Sequence, residues 1–251
     1  MPTRRTILRT LALSALFGKT LPATAAISTA AKAVVFDAFP IFDPRPLSAM
    51  AEEFFPGHGA ALAQAWRARQ FDYAWLSSLA GRYRDFLALT DAALVAAAAE
   101  LKLDLAEGRR RALVGAYLNL KAWPDVPPVL AALRQAGIRT AILSNFSPAM
   151  LDGCLAASGL KGQFDHVLST DRAKTYKPDP RAYALAVRAL GLHKRGIVFV
   201  PFASWDAFGA KAYGYPTFWN NRGGQVPDGI GPAADGESAK LGDLLRFVGV
   251  G

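Results

Sequence analysis

The sequence predicts an α/β fold: a parallel sheet doubly wound by helices, with a helical block inserted after the first strand. Three observations predict it. Short apolar, β-branched runs of the fully buried strand type occur at Ala33–Phe36, Ile138–Leu143 and Ile197–Val200. From Asp125 onward such runs alternate with helical stretches, as a parallel sheet requires. Between the first two runs, residues 47–121 show helical periodicity and no strand pattern.

The N-terminus comes first. Met1 to Arg9 is basic, Leu11 to Phe17 is mostly apolar, and Leu21 to Ala26 ends in an Ala-x-Ala pattern. Basic start, short apolar centre and small-residue end are the parts of a cleavable export signal. Arg4-Arg5, with Thr3 before and Ile7-Leu8-Arg9 after, resembles a twin-arginine signal. Residues 1–26 are therefore expected to be a signal peptide cleaved near Ala25 or Ala26, and the expected location is periplasmic or secreted. The apolar run is shorter than the roughly 20 residues that span a bilayer, so no stable membrane association is expected after cleavage.

The first strand ends at Asp37. Pro40, Pro44 and Pro46 then predict a crossing loop. In the helical block, Ala60 to Leu79 keeps apolar residues at spacings of three and four, and further helices are expected at Asp91–Leu101, capped by Thr90 or Asp91, and at Leu105–Leu120. Pro127 to Gln135 is helical and stops at Gly137. Ile138 to Leu143 is a strand closed by Ser144-Asn145, and Ser147-Pro148 starts the next helix. Phe164 to Leu168 reads as a short strand. Asp179 and Pro180 are the N-cap and first position of a helix ending near Gly191. Ile197 to Val200 is a strand followed by Trp205-Asp206 and a helix through Ala212. Pro216 to Trp219 is a last strand, and Leu241–Val248 a closing helix. These elements define a Rossmann-like core of residues 32–46 and 122–251, with residues 47–121 as a helical cap.

Composition narrows the function classes. The 251 residues are 52% hydrophobic and 20% charged, which describes a globular chain. The net charge is +9, but Arg4, Arg5, Arg9 and Lys19 carry four of these charges, leaving +5 spread without a basic run. No nucleic-acid partner is expected. Cys154 is the only cysteine, which excludes an internal disulfide and a multi-cysteine zinc site. His58, His166 and His193 lack metal-ligand spacing and read as surface or loop residues.

Open α/β sheets bind ligands outside the carboxyl ends of their strands. This chain places Asp37, Ser144-Asn145 and Asp206 there, and Lys177 in the loop before the helix at Pro180. Each alone could be a turn or capping residue. Together, two acids, an amide and a lysine converging on one edge describe a site.

The order resembles the four motifs of the haloacid dehalogenase superfamily: Val34-Val35-Phe36-Asp37, Leu143-Ser144-Asn145, Tyr176-Lys177-Pro178-Asp179 and Trp205-Asp206. The block Trp66-Arg67-Ala68-Arg69-Gln70, with Tyr73, Trp75-Leu76, Ser78-Leu79 and Arg82-Tyr83, resembles the cap of the (S)-2-haloacid dehalogenases. So does Trp205 to Ala210 followed by Gly214-Tyr215-Pro216-Thr217 and Trp219 to Arg222. The resemblance covers roughly residues 33–248. It implies that Asp37 attacks C2 of a 2-haloacid, expels halide and forms an ester, which water hydrolyses to a 2-hydroxy acid of inverted configuration. It further implies that Arg67 and Asn145 hold the departing halide. It likewise implies that Ser144 and Lys177 bind carboxylates, that Asp206 orients or activates water, and that Phe39, Trp205 and Phe86 form an apolar wall. The partner it implies is a small 2-haloacid, and a homodimer is an expectation from the resemblance alone. Superfamily phosphatases carry a second Asp two residues after the nucleophile, where this chain has Phe39. Neither phosphatase activity nor a metal or other cofactor is expected.

Three departures fall near the site. Asp37-Ala38-Phe39-Pro40-Ile41-Phe42-Asp43 is one residue shorter than the family's Asp-x-Tyr-Gly-Thr-Leu-Phe-Asp and loses its Gly-Thr pair. Val200-Pro201-Phe202-Ala203-Ser204-Trp205 lacks the serine and water-holding asparagine of Ser-Ser-Asn-Ala, with Ser204 displaced by one position. Phe146 replaces the usual glycine. Two readings follow: a dehalogenase whose hydrolytic step is impaired, or an inactive dehalogenase-like protein binding a small carboxylate or a protein partner. Retention of Asp37, Arg67, Asn145, Lys177 and Asp206 favours the enzyme.

Overall fold

The computed structural model describes residues 31–251, so the expected signal peptide lies outside the described residues. Strand β1 (Ala33–Phe36) is central. It pairs in parallel with β2 (Arg139–Ser144) on one side and β4 (Ile197–Val200) on the other, and β2 pairs with β3 (His166–Ser169), giving the order β3-β2-β1-β4. A parallel bridge from Phe199 to Thr217 continues the sheet toward β5 (Phe218–Asn220), which pairs in parallel with β6 (Gly236–Ser238).

The period of two in an extended chain sorts the core. Val34 and Phe36 enter one apolar cluster with Ile142, Val198 and Val200. Ala33 and Val35 enter the other with Ala141, Leu143, Ile197 and Phe199. All four β1 residues are fully buried, because helices cover both faces. Helices α6 (Val126–Gln135), α7 (Pro148–Ala157) and α10 (Asp243–Phe247) pack on the first face. Helices α8 (Pro180–Leu190) and α9 (Ser204–Tyr213) pack on the second. This is the doubly wound arrangement that the strand runs predict. The caps follow local rules: the Ser147 side chain accepts from Met150 N, Asp179 accepts from Arg181 N, and α8 ends on Gly191 at φ 61°.

Between β1 and β2 lie α2 (Arg45–Phe54), α3 (Gly59–Leu79), α4 (Phe86–Glu100) and α5 (Glu107–Ala116). The structure corrects the sequence reading in four places. The expected loop after Asp37 holds one helical turn, α1 (Ala38–Ile41), capped by Asp37. Its carbonyls are met from outside: Trp123 N donates to Ile41 O, and Trp123 Nε1 to Phe39 O. Helix α4 begins at Phe86, five residues before the expected start, because Asp85 accepts from Ala88 N and outcompetes Thr90 as cap. Thr90 is instead buried, accepting from Gln70 Nε2 and, through its carbonyl, from Trp66 Nε1. Helix α9 begins at Ser204, so Asp206 sits in its first turn and not at a strand end. Strand β6 has no counterpart in the sequence reading, since it lies in the Gly/Pro-rich tail.

Gly209 of α9 faces α8 at close quarters. A Cβ there would fall 2.7 Å from Pro178 Cβ and closer still to the Tyr183 hydroxyl. Gly209→Ala is expected to lower stability by about 1–3 kcal/mol through overpacking, read as a lower urea midpoint with unchanged slope.

Candidate active site

The carboxyl edge of the sheet places Asp37 one residue beyond β1, tied by its N–H to Val200 O at 3.0 Å. Lys177 comes from the loop before α8 and is fully buried. Its Nζ donates to Asp37 Oδ1 at 2.9 Å and to Asp206 Oδ2 at 2.6 Å. The other Asp206 oxygen accepts from the Tyr183 hydroxyl at 2.7 Å. A buried ammonium is costly unless its charge is met, and here two carboxylates meet it. Burial alone would lower the Lys177 pKa, but the charges of Asp206 and Asp37 outweigh it and raise it. Burial pushes Asp206 up to about 6, against the opposing pull of Lys177 and with the Asp37 charge adding to the rise.

Above this group lies a cavity of about 480 Å³. Seven of the nine sequence-predicted residues line it: Asp37, Phe39, Arg67, Phe86, Ser144, Asn145 and Trp205. Lys177 and Asp206 lie beneath its floor, joined to it through Asp37. Arg67 reaches it from α3, with its guanidinium 5.5 Å from the Phe39 ring centroid. The Ser144 hydroxyl accepts from Phe146 N at 3.1 Å, which leaves its own proton to give. The Asn145 carbonyl oxygen accepts from Lys177 N at 3.0 Å and from the Thr170 hydroxyl at 3.4 Å. Its amide nitrogen is buried without a partner at the cavity wall. An orphaned buried donor is expensive unless a ligand serves it.

Sequence reasoning missed several neighbours. Phe71, Phe202, Gln64 and Gln225 also line the cavity, and Tyr183 fixes Asp206 from below. A tyrosine one turn into α8, four residues after the Asp179 cap, was the available signal for Tyr183. The Val200–Trp205 turn is braced by Gln225, whose amide donates to Phe202 O and accepts from Ser204 N, both at 3.3 Å. Ser204 does not turn toward Asp37: its hydroxyl donates to Asp228 at 3.1 Å. Phe146 packs against the rings of Phe39 and Phe86, at 5.3 and 6.0 Å. Among the described residues, no group of three or more His, Cys, Asp or Glu side chains is arranged to hold a metal ion.

A carboxylate at the end of a central parallel strand, held by a buried lysine under a helix-lined cavity, is the equipment of a hydrolase working through a carboxylate nucleophile. Comparison with known proteins agrees. Residues 17–214 match the family model described as haloacid dehalogenase-like hydrolase. The (S)-2-haloacid dehalogenase of Pseudomonas sp. (strain YL) is 41% identical over 217 residues, 86% of this chain and 94% of that protein. Haloacetate dehalogenase H-2 of Moraxella sp. (strain B) is 40% identical over 220 residues, covering 87% and 98%. The structure of the L-2-haloacid dehalogenase from Xanthobacter autotrophicus with chloropropionic acid covalently bound superposes at a TM-score of 0.80, with 33% identity and coverage of 87% and 98%. The chain belongs to the haloacid dehalogenase-like hydrolases and, within them, to the (S)-2-haloacid dehalogenase family.

The buried triad gives a pH-dependent expectation. Lys177→Met leaves Asp206 without its cation, which should cost about 3–5 kcal/mol. The penalty should be larger at pH 8, where Asp206 is ionised, than at pH 5, where it is largely protonated. Urea unfolding of both proteins at the two pH values checks the difference.

Proposed function

We propose that the protein hydrolyses (S)-2-haloacids to (R)-2-hydroxy acids through an ester on Asp37. The observation that carries this reading is the Asp37 carboxylate, fixed by Lys177 at the floor of a cavity that also holds Arg67 and the unpartnered Asn145 amide. Its dehalogenase relatives support the enzymatic reading and not that of an inactive binding protein.

Lys177 occupies Oδ1, while Oδ2 has only a 3.5 Å contact with Phe39 N. Oδ2 therefore attacks C2, forming the C–O bond as the carbon–halogen bond breaks from the opposite side and inverting the centre. Arg67 and the Asn145 amide receive the halide, whose charge grows in the transition state. Ser144 donates to the substrate carboxylate. Phe39, Phe86 and Trp205 exclude water from this charge movement. Water then adds to Cγ of the ester, Asp206 takes its proton, and the acyl–oxygen bond breaks. The product leaves with the ester oxygen, which takes back the proton held by Asp206, and Asp37 keeps an oxygen from water and releases that water's second proton to solvent. Residues 47–121 act as the cap over a core formed by residues 32–46 and 122–251.

Purified protein should release halide from (S)-2-chloropropionate in preference to the (R) enantiomer, and Asp37→Asn should release none. Turnover should fall as pH drops below about 6, because Asp206 protonates there and stops accepting the proton of water. Stoichiometric release with an ester mass held on the Asp37 peptide would show a stalled second step, and no release from folded protein would overturn the reading.

For residues 1–26 the proposal is a twin-arginine export signal, delivering the protein to the periplasm or medium, where it pairs as a homodimer. Its supports are the basic-apolar-small pattern and the family resemblance. Intact mass and sedimentation of exported protein should give a start near residue 26 or 27 and a dimer. A retained Met1 or a monomer would reject the respective part.

A further inference from the structure

We infer that the site takes 2-haloacids bearing an aryl-alkyl group at C2, with Ala68 and Phe71 as the positions that admit it. This rests on the reaction proposed above and names its substrate class. The groups needed for nucleophile, halide and carboxylate are Asp37, Arg67, Asn145 and Ser144. They account for a small haloacid such as 2-chloropropionate, yet the cavity is about 480 Å³. Volumes of roughly 300–1,000 Å³ suit far larger ligands.

The spare volume is built from apolar groups. Gln64, Arg67, Ala68 and Phe71 recur at spacings of three and four, so one face of α3 lines the cavity. Ala68, beside Arg67, is exposed and contributes only a methyl group, leaving room next to the residue that anchors the reacting end. One turn further, the Phe71 ring meets the Trp205 ring edge-on, with centroids 5.0 Å apart. Trp75 backs both, 6.0 Å from Phe71 and 5.7 Å from Trp205. Phe202 adds a further ring to the wall, 5.6 Å from Phe39. An aryl substituent gains edge and face contacts with such rings, whereas a methyl group reaches few of them.

The test compares (S)-2-chloro-3-phenylpropanoate with (S)-2-chloropropionate by kcat/KM for halide release. The phenyl substrate should be preferred by roughly tenfold or more, the scale on which an apolar pocket discriminates. Ala68→Trp, which fills the space from an exposed position, should move the ratio back toward 2-chloropropionate. Calorimetric binding of 3-phenylpropanoate and propionate to Asp37→Asn reads occupancy without turnover. Equal or reversed kcat/KM values overturn the inference. If neither substrate releases halide, tighter binding of 3-phenylpropanoate sustains the ligand class while the proposed reaction falls. Equal binding in that case overturns both.

Discussion

The site depends on one buried cation shared by two carboxylates. Lys177 is fully buried and meets Asp37 and Asp206 at 2.9 and 2.6 Å. Burial on this scale is tolerated only with near-ideal partners, so the loop that carries the lysine must be rigid. It is held from the helical block as well as from the sheet. Trp75 Nε1 donates to Lys177 O at 3.2 Å, and Tyr176 N donates to the Ser78 hydroxyl at 3.1 Å. The Tyr176 hydroxyl donates to Arg84 O, and the Tyr83 hydroxyl to Asp171. The end of α3 and the segment after it thus fix the same loop that fixes Asp37. Helices that contribute Arg67 and Phe86 to the cavity are thereby kept in register with the sheet edge.

The departures from the family pattern share a physical direction: the site gains apolar surface and loses hydroxyl and amide groups. Phe39 packs against both Phe146 and Phe202, at positions where the family pattern has Tyr, Gly and a Ser-Ser-Asn run. The backbone still needs partners, and more distant residues provide them. Trp123 and Arg222 donate to the α1 carbonyls, and Arg222 is itself held by Asp125 at 2.7 Å. Gln225 braces the turn before α9 in place of local side chains. A less polar wall strengthens the remaining electrostatic contacts at Asp37. It also leaves fewer groups to hold a water, so in the proposed reaction the balance between the two chemical steps rests more heavily on Asp206.

How much was legible follows from the range of each interaction. Buried strands, the Ser147-Pro148 and Asp179-Pro180 starts and the strand-end residues Asp37, Ser144 and Asn145 obey local rules and lie where the sequence puts them, whereas Asp206 lies in the first turn of α9. The motif residues could be joined into one site because parallel topology brings strand ends together. Asp85 was hidden because Thr90-Asp91 offers an equally good local cap, and only the burial of Thr90 against Gln70 and Trp66 decides between them. Gln225 and strand β6 lie in a segment whose glycines and prolines show no periodicity, so their places are set by long-range pairing alone. Phe71 and Phe202 carry no local signal that separates a cavity wall from ordinary core, and it is the fold that aims them at the cavity.

A displacement at carbon needs its nucleophile and the acceptor of its leaving group fixed relative to each other, since a small misplacement is costly in rate. In this chain one residue serves both ends. The Lys177 ammonium positions Asp37, while its backbone N–H binds the Asn145 carbonyl oxygen at 3.0 Å. With that oxygen engaged, the Asn145 amide nitrogen is the end left free for halide in the proposed reaction. Asp37 and Asn145, nucleophile and halide donor of the proposed reaction, are thus both referenced to Lys177, whose loop the helical block grips.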